Sequence, residues 1–437
     1  MAIRKLKSTA PPLASNATSQ PGVAEIVKNV IDDVRSRGDA AVSEYSLKFD
    51  KWGPKRLTES EIKEVISQLP EQTVKDIKEV QENVRTFAMA QRACLKDLEI
   101  EIRPGVKLGH KNIPIDTVGC YIPGGRYPLL ASAHMTILTA KCAGVRHVVA
   151  CTPPILGDIP KATVAAMYFA GADDIWILGG TQAIAAMAIG TESIRQCHFL
   201  AGPGNAFVAE AKRQLFGPVG IDLFAGPTEV LIVADDKADP FTCATDLISQ
   251  AEHGPDTPAV LITTSEDVAK KTLSFIDSQL SNLRTADVAS VSWANFGEII
   301  VVDTMDEAYI VADEYASEHV QILTENPREA LTKMQHYGAL FLGKGTCVSY
   351  GDKVIGTNHV LPTRHTAHYT GGLWVGKFLK TCSYQEVTSP EASGELGRLC
   401  GRAARAENFE GHARSGDLRA HQFLEDKHDW IDQSQRA

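Results

Sequence analysis

The sequence predicts an α/β protein with two Rossmann-like, doubly wound parallel domains, and three observations support this fold class. Short apolar segments alternate with longer helical segments in two stretches, residues 117–215 and 230–302. Strands and helices that alternate at this spacing form parallel βαβ units. Several predicted strands end in glycine-rich turns, and a chain of 437 residues is long enough for more than one core.

The N-terminal part of the chain is predicted to be helical. Residues 22–50 carry apolar side chains at helical spacing, with a stop at Gly38. The segment Glu59–Leu95 has the same character and is broken near Pro70. Residues 1–20 show neither pattern and are assigned to an N-terminal arm.

The first alternating stretch supplies four predicted strands and four helices. The strands are Thr117–Ile122, Val145–Thr152, Asp174–Leu178 and Cys197–Leu200. The helices are His134–Ala143, Ala162–Ala170, Thr181–Ala188 and Asn205–Leu215. This order is typical of one half of a doubly wound sheet.

The second stretch repeats the pattern with three strands and two helices. They are, in order, Val230–Ala234, Pro240–Glu252, Ala259–Thr263, Asp267–Leu283 and Ile299–Val302. After Lys380 the sequence is charged and helical, with no strand signal. We therefore divide the chain as follows: one domain of residues 21–120 and 230–373, a second domain of 121–229, and a small helical C-terminal tail of 374–437.

Composition and charge exclude several function classes. The formal net charge is -10, which disfavours nucleic acid or an anionic membrane as a partner. No apolar run approaches the ~20 residues needed to span a bilayer, and no apolar stretch follows the basic residues at 4, 5 and 7. The nine cysteines are odd in number, widely spaced and without a Cys-x-x-Cys pair. Buried reduced thiols in a cytoplasmic protein are therefore expected.

Three glycine-rich turns follow predicted strands and precede helices. They are Tyr121–Gly125, Gly179–Gln182 and Gly202–Asn205. Such turns suit a pyrophosphate, because the backbone can approach closely and helix N-termini favour anions. The Gly-x-Gly-x-x-Gly fingerprint is missing, so tight βα turns are the alternative. Tyr121, Gln182 and Asn205 are the candidate contacts to a nicotinamide dinucleotide.

Separate clusters in the C-terminal half carry groups that can bind a metal. Gln250 and His253 are spaced i, i+3 near the end of a predicted helix and share a face. Asp352 offers a hard oxygen, and His412 lies five residues after Glu407. Mixed nitrogen and oxygen ligands suit a catalytic Zn²⁺ or Mn²⁺. The alternative for His253 is a favourable interaction with a helix C-terminus.

Adjacent Glu318 and His319 are the candidates for proton transfer. An imidazole titrates near neutrality and can act as a general base, and a neighbouring carboxylate can activate water. His359 lies between Asn358 and Val360 in a proline-bounded segment. Glu-His pairs also arise by chance, so this cluster gains weight only together with the others.

These segments resemble the histidinol dehydrogenase family, in collinear order from about residue 25 to 423. The segments that carry the resemblance are Val118–Gly125, Gly202–Ala206, Ala225–Glu229, Ser249–Asp256, Ser317–His319 and Gly356–Thr363. The resemblance implies two Rossmann-like domains with small terminal pieces, in an intertwined homodimer.

The resemblance also implies roles for individual residues. One Zn²⁺ per subunit would be held by Gln250, His253, Asp352 and His412. Glu318 and His319 would be the acid/base residues, and Tyr121, Gln182 and Asn205 would contact NAD. The substrate pocket would contain Thr228, His359 and Glu407, and His412 and Glu407 would reach the partner's site.

The implied chemistry is a four-electron oxidation of a small-molecule alcohol. His319 would accept the alcohol proton as hydride passes to NAD. Glu318 would then help water add to the bound aldehyde, and a second NAD would take the next hydride. The product would be a carboxylate.

The chain departs from the family pattern beside the expected site. Lys353 follows the ligand Asp352 where the family usually has tyrosine, and Arg364–Trp374 differs from the usual form. The arginine-rich segment Arg405–Arg419 is similar to the branch that includes sulfopropanediol 3-dehydrogenase. Cations near the site favour a small anionic diol such as 2,3-dihydroxypropane-1-sulfonate, with Lys353 at the substrate. L-histidinol is the alternative substrate, and a non-catalytic paralogue or a metal carrier is the alternative class.

Overall fold

The computed structural model describes residues 4–8, 22–124, 128–224 and 226–435. The strands are β1 (Arg4–Lys7), β2 (Lys55–Arg56), β3 (Leu98–Arg103), β4 (Val106–Pro114), β5 (Thr117–Tyr121), β6 (His147–Thr152), β7 (Asp174–Ile177), β8 (Phe199–Ala201), β9 (Gly220–Ile221), β10 (Val230–Ala234), β11 (Ala259–Thr263), β12 (Gly297–Val301), β13 (His319–Leu323), β14 (Ala339–Leu342) and β15 (Leu379–Val387).

The α-helices connect and flank these strands. They are α1 (Val23–Arg37), α2 (Asp39–Phe49), α3 (Glu59–Ser67), α4 (Glu71–Cys94), α5 (Leu130–Ala133), α6 (Thr139–Ala143), α7 (Lys161–Ala170), α8 (Gly180–Ile189), α9 (Ala206–Leu215), α10 (Pro240–Ala251), α11 (Glu266–Leu280), α12 (Ala286–Phe296), α13 (Met305–Tyr315), α14 (Ala330–Lys333), α15 (Val348–Lys353), α16 (Pro390–Ala406), α17 (Glu410–Leu424) and α18 (Asp429–Gln435). A π-helical turn, His134–Leu138, joins α5 to α6.

The chain divides into two compact units, and the larger one contains both alternating stretches. Its first six-stranded sheet, called the cofactor sheet because it carries the predicted NAD contacts, has the order β2-β7-β6-β5-β8-β9. The central strands pair in parallel, and β2 pairs antiparallel to β7 at one edge. In chain order the parallel strands run 3-2-1-4-5, the arrangement of a doubly wound sheet.

The second six-stranded sheet, called the catalytic sheet because it carries the predicted acid/base residues, repeats that arrangement with the order β1-β12-β11-β10-β13-β14. The parallel strands again run 3-2-1-4-5, and β1 pairs antiparallel to β12 at the edge. Successive residues of β10 enter different cores: Val230 and Ile232 pack with α10, while Leu231 and Val233 pack on the face covered by α13. Strands buried on both faces explain the continuous apolar runs in the sequence.

The N-terminal helices pack on the cofactor sheet. The stripe of α1 that includes Val27, Val30 and Val34 shares a core with Ala183 and Leu200. This differs from the predicted division, which groups residues 21–120 with 230–373. The reason is that the amphipathic pattern shows which helix face is buried but not which sheet covers it.

The smaller unit combines residues 93–113 with 379–437. It holds a three-stranded sheet of order β15-β4-β3 and the helices α16, α17 and α18. The prediction of a tail without strands is wrong, because β15 lies within it. Most of β15 is polar and solvent-exposed, so the sequence lacks the apolar alternation that marks a half-buried strand.

Glycines set the packing of α16 against α17 in this unit. A β-carbon on Gly397 would collide with the backbone carbonyl of Gly416, and one on Gly416 would collide with that of Gly397. The two helices therefore approach at backbone distance. None of the helices in the described part of the chain is both long and apolar enough to cross a bilayer.

Candidate active site

The acid/base pair lies where two neighbouring parallel strands begin. The register pairs Val230 with His319, which sets Glu318 beside Thr228 and Glu229. The Thr228 hydroxyl donates to Glu318 Oε2 at 2.6 Å, and the Glu229 backbone N–H donates to the same oxygen at 2.9 Å. Glu318 is 7% exposed, so its carboxylate is held almost entirely by protein groups.

Nδ1 of His319 is fixed as a hydrogen-bond donor. It lies 2.8 Å from the carbonyl oxygen of Glu229, which can only accept, so Nδ1 carries a proton. Nε2 is buried and has no hydrogen-bond partner among the described residues, although Asp352 Oδ1 lies 3.4 Å away. Burial alone would lower the pKa of His319, but the negative charges of Glu318 and Asp352 outweigh it and raise the pKa well above the usual value. A cation bound at Asp352 would offset that negative charge and favour loss of the Nε2 proton, which makes Nε2 the position where this ring can exchange a proton.

Three metal-capable groups converge beside this nitrogen. Gln250 and His253 lie at the C-terminal end of α10, and Asp352 lies on α15. His253 Nε2 is 3.8 Å from Asp352 Oδ2, and Gln250 Nε2 donates to Thr228 at 3.0 Å. The negative end of the α10 dipole favours a cation at this position.

The protonation states also suit a metal. Desolvation lowers the pKa of His253, which leaves its imidazole neutral near pH 7. Burial of Asp352 would raise the pKa of its carboxyl, but the adjacent His319 lowers it far below the usual range. A neutral imidazole, an ionised carboxylate and an amide oxygen are ligand types that Zn²⁺ accepts.

This donor set fits a metal when one more ligand completes it. Among the residues that the structure describes, no group of three or more His, Cys, Asp or Glu side chains is placed to hold a metal. His412 and Glu407 belong to the smaller unit, where His412 is exposed and its ring packs 5.2 Å from that of Phe409. Their predicted roles as a ligand and a substrate contact stay predictions.

The other predicted substrate residues border the same cluster. His359 Nδ1 donates to the backbone carbonyl of Asp352 at 3.1 Å, and burial lowers the pKa of its ring. Lys353 is exposed at the end of α15, and its charge contributes to lowering the pKa values of His253 and His359. Thr228 connects this cluster to Glu318 through its hydroxyl.

The three predicted cofactor residues line one cavity of about 560 Å³. Tyr121, Gln182 and Asn205 lie at the carboxyl ends of β5, β7 and β8, the expected place for a ligand of a parallel sheet. Gln182 Oε1 is buried and has no hydrogen-bond partner among the described residues. It therefore offers an acceptor to a ligand amide or hydroxyl.

The polar groups of two glycine turns form hydrogen bonds with neighbouring protein groups. Gly180 N–H donates to the Tyr121 hydroxyl at 3.1 Å, and Gly202 N–H donates to Asp222 at 2.7 Å. Asn205 Oδ1 accepts from the backbone amides of Phe207 and Val208 in the first turn of α9. These groups are therefore not available to a pyrophosphate, which favours the alternative of tight βα turns at these positions. In the turn Tyr121–Gly125, Gly125 lies outside the described residues.

Sequence reasoning missed two residues that the structure brings to these sites. Asp50 lines the cofactor cavity and accepts a hydrogen bond from Gln182 Nε2 at 3.2 Å. Glu229 contacts both acid/base residues, and the backbone N–H of Arg364 donates to its Oε1 at 2.7 Å. Only Glu229 had a sequence signal, since it directly follows Thr228 in a family segment.

Comparisons with known proteins show which family the chain belongs to. The family model described as histidinol dehydrogenase matches residues 13–420. A histidinol dehydrogenase homolog of Shouchella clausii is 59% identical over 92% of this chain and 95% of its own. The sulfopropanediol 3-dehydrogenase of Ruegeria pomeroyi is 43% identical over 98% of both chains.

A solved structure shows the same fold. The crystal structure of histidinol dehydrogenase from Elizabethkingia anophelis superposes with a TM-score of 0.87 and 33% sequence identity. The match covers 94% of this chain and 97% of that chain.

Proposed function

This chain belongs to the histidinol dehydrogenase family and is an NAD-dependent oxidoreductase acting on CH–OH groups, and from that premise we propose that it is a zinc enzyme that oxidises a small anionic diol. The primary alcohol passes through a bound aldehyde to a carboxylate, with two NAD reduced. The fold is proposed to comprise two Rossmann-like domains in a homodimer.

One observation carries the proposal: a buried imidazole with a free nitrogen lies beside three hard donor groups. His319 is fixed by Glu229 through Nδ1, so Nε2 is left to receive a proton. Asp352 and His253 lie within 4 Å of one another on the same side. A general base next to a Lewis-acid site can catalyse the oxidation of an alcohol.

The first oxidation removes a proton and a hydride from the alcohol. His319 Nε2 takes the hydroxyl proton, and the hydride leaves the carbinol carbon for the nicotinamide. This yields an aldehyde, one NADH and one proton. Zn²⁺, held by Gln250, His253, Asp352 and His412, would polarise the reacting oxygen when bound.

The second oxidation consumes one water. Glu318 accepts a proton from the water as its oxygen bonds to the aldehyde carbon, and His319 returns its proton to the carbonyl oxygen, which gives a hydrate. His319 again takes a hydroxyl proton, and a second hydride leaves for a second NAD. Retention of the aldehyde between these steps protects cellular amines from it.

The homodimer is supported by an exposed apolar face in the smaller unit. Leu98, Ile100 and Ile102 alternate along β3, and all three are exposed, as is Ile113 near the end of β4. Contiguous apolar surface of this kind marks an interface. We propose that the partner covers it, and that His412 and Glu407 enter the partner's site.

An anionic substrate is supported by two cations near the acid/base pair. Lys353 is close enough to His253 and His359 for its charge to affect both rings. The Arg364 side chain packs against Gly226, two residues before Thr228. Guanidinium and ammonium groups suit a sulfonate or carboxylate better than the ammonium group of histidinol. The cytoplasmic location stays a prediction.

The test is NADH formation with two substrates at matched concentrations. We expect 2,3-dihydroxypropane-1-sulfonate to give two NADH per substrate and a larger kcat/KM than L-histidinol. Preferred oxidation of L-histidinol would establish the alternative. One NADH per substrate would limit the reaction to the aldehyde stage.

A further inference from the structure

Glu229 is the last residue before β10, and every polar group it carries is engaged with the acid/base pair or the loop after Thr363. Its backbone N–H donates to Glu318 Oε2 at 2.9 Å, and its carbonyl accepts from His319 Nδ1 at 2.8 Å. Its carboxylate accepts from the backbone N–H of Glu318 at 3.4 Å and from that of Arg364 at 2.7 Å. One residue therefore contacts two separate segments, Glu318–His319 and the loop at Arg364.

We propose that Glu229 is a positioning residue of the dehydrogenase, whose carboxylate holds the backbone amides of Glu318 and Arg364 and thereby fixes the Glu318–His319 segment at the start of β13. The inference rests on the function proposed above and adds a residue to its machinery. Glu229 acts through its neighbours and is not itself a catalytic residue.

The carboxylate adds something that the backbone contacts alone do not. Any residue at this position supplies an N–H and a carbonyl. Only a side chain with two acceptor oxygens can receive both the Glu318 and the Arg364 amides. Replacement by glutamine would set an NH₂ donor against one of these N–H groups, with nearly unchanged shape.

The loop held by this carboxylate is strained. Arg364 and His365 have φ values of 54° and 62°, a left-handed conformation that residues other than glycine rarely adopt. Consecutive strain of this kind persists only where surrounding contacts enforce it. The Glu229 carboxylate on the Arg364 amide is one such contact, and Thr363 Oγ1 accepting from Gly226 N–H at 2.6 Å is another.

Burial of the Glu229 carboxyl lowers the stability of the fold, which favours a functional role for this side chain. Burial raises the pKa of Glu229 to about 7, the Arg364 amide opposes the rise, and the charge of Glu318 adds to it. Ionisation of this buried carboxyl beside Glu318 therefore costs folding free energy, and the two amide donors offset only part of that cost.

A neighbouring carboxylate provides the matched control. Glu229 and Glu298 line the same cavity of about 70 Å³, together with Tyr315, Ser317 and His365. Glu298 is 4% exposed and accepts a hydrogen bond from the Tyr315 hydroxyl, away from the acid/base pair. Glu298→Gln changes a buried carboxylate without touching Glu318 or His319.

The experiment compares Glu229→Gln, Glu229→Ala and Glu298→Gln in the full-length, zinc-loaded protein. We expect Glu229→Gln to keep its zinc and its KM for NAD while kcat falls about 10–100-fold. Glu229→Ala should lose more, and Glu298→Gln should retain wild-type kcat. The backbone amide proton resonance of Glu318 should shift in Glu229→Gln, where this amide loses its carboxylate acceptor, and should stay in place in Glu298→Gln.

Two results would overturn the inference. One is wild-type kcat and an unchanged Glu318 amide resonance in Glu229→Gln. The other is an equal loss of kcat in Glu298→Gln, which would indicate general destabilisation. If the wild type oxidises no alcohol with NAD, the proposed function fails, yet the Glu318 amide resonance still decides the positioning role because it needs no substrate.

Discussion

The cofactor sheet and the catalytic sheet share one strand order but use opposite edges. Tyr121, Gln182 and Asn205 lie at the carboxyl ends of β5, β7 and β8, whereas Thr228 and Glu318 lie just before β10 and β13. Ligands of parallel sheets usually bind at the carboxyl edge. Two sheets with the same strand order can therefore carry their predicted functional residues at opposite edges.

The two edges also differ in the groups they offer. At the cofactor edge, the Gly180 and Gly202 amides are satisfied within the protein, and Gln182 Oε1 is a neutral acceptor left over. At the catalytic edge, the end of α10 brings Gln250 and His253 to the negative end of a helix dipole. One edge suits recognition of a neutral group, and the other suits a cation and proton transfer.

The largest expected effect is at the catalytic edge, with His319→Asn. Loss of the base should lower kcat by about 10²–10⁴-fold while zinc content and melting temperature stay the same. Steady-state kinetics and metal analysis check this. The exposed His198, near the cofactor sheet, supplies the control His198→Asn. Turnover of His319→Asn equal to that of the control would remove His319 from the mechanism.

The second prediction separates the two edges by metal content. His253→Ala removes a ligand, so bound zinc after dialysis should fall by at least about 10-fold and activity should fall with it. Asn205→Ala, at the cofactor edge, should keep one zinc per subunit. Equal zinc retention in both variants would exclude His253 as a ligand.

The sequence alone predicts much of the difference between the two edges. Apolar runs predicted both ends of β10 and of β11 correctly, because these strands are buried on two faces. The acid/base and NAD candidates followed from the family segments. The structure then brought Tyr121, Gln182 and Asn205 into one cavity, and Glu318, His319, Gln250, His253 and Asp352 into another cluster.

Other features depend on contacts that no local pattern encodes. The sequence shows Glu229 as one more residue of a segment, whereas its role depends on the register of Val230 with His319. Asp50 reaches Gln182 across 132 residues of sequence. β15 is polar on both faces, so its pairing with β4 is invisible to hydrophobic periodicity.

The third prediction tests the cofactor edge. Gln182→Ala removes the buried acceptor, and the loss of one hydrogen bond of about 1 kcal/mol should raise KM for NAD by roughly 5–10-fold. Zinc content and the KM for the alcohol should not change. Gln196→Ala, near the end of α8, is the control. An unaltered KM for NAD in Gln182→Ala would indicate that neither the nicotinamide nor the adenosine contacts Gln182.

The smallest effect concerns stability at the catalytic edge. The folded-state pKa of Glu229, about 7, lies above the ordinary carboxyl value of 4.5, so ionisation destabilises the fold as pH rises between these values. Glutamine does not titrate. The melting temperature of Glu229→Gln relative to wild type should therefore rise between pH 5 and pH 8, by roughly 2–4 °C per kcal/mol relieved. A difference that is constant with pH would contradict the raised pKa.

Anomalous diffraction at the zinc edge, from crystals grown with zinc and NADH, tests the central claim most directly. The account predicts one strong peak per subunit at about 2.0–2.2 Å from His253 Nε2 and an Asp352 oxygen, with His412 of a second subunit as a further ligand. A fully active enzyme with its zinc bound away from His253 and Asp352 would contradict it.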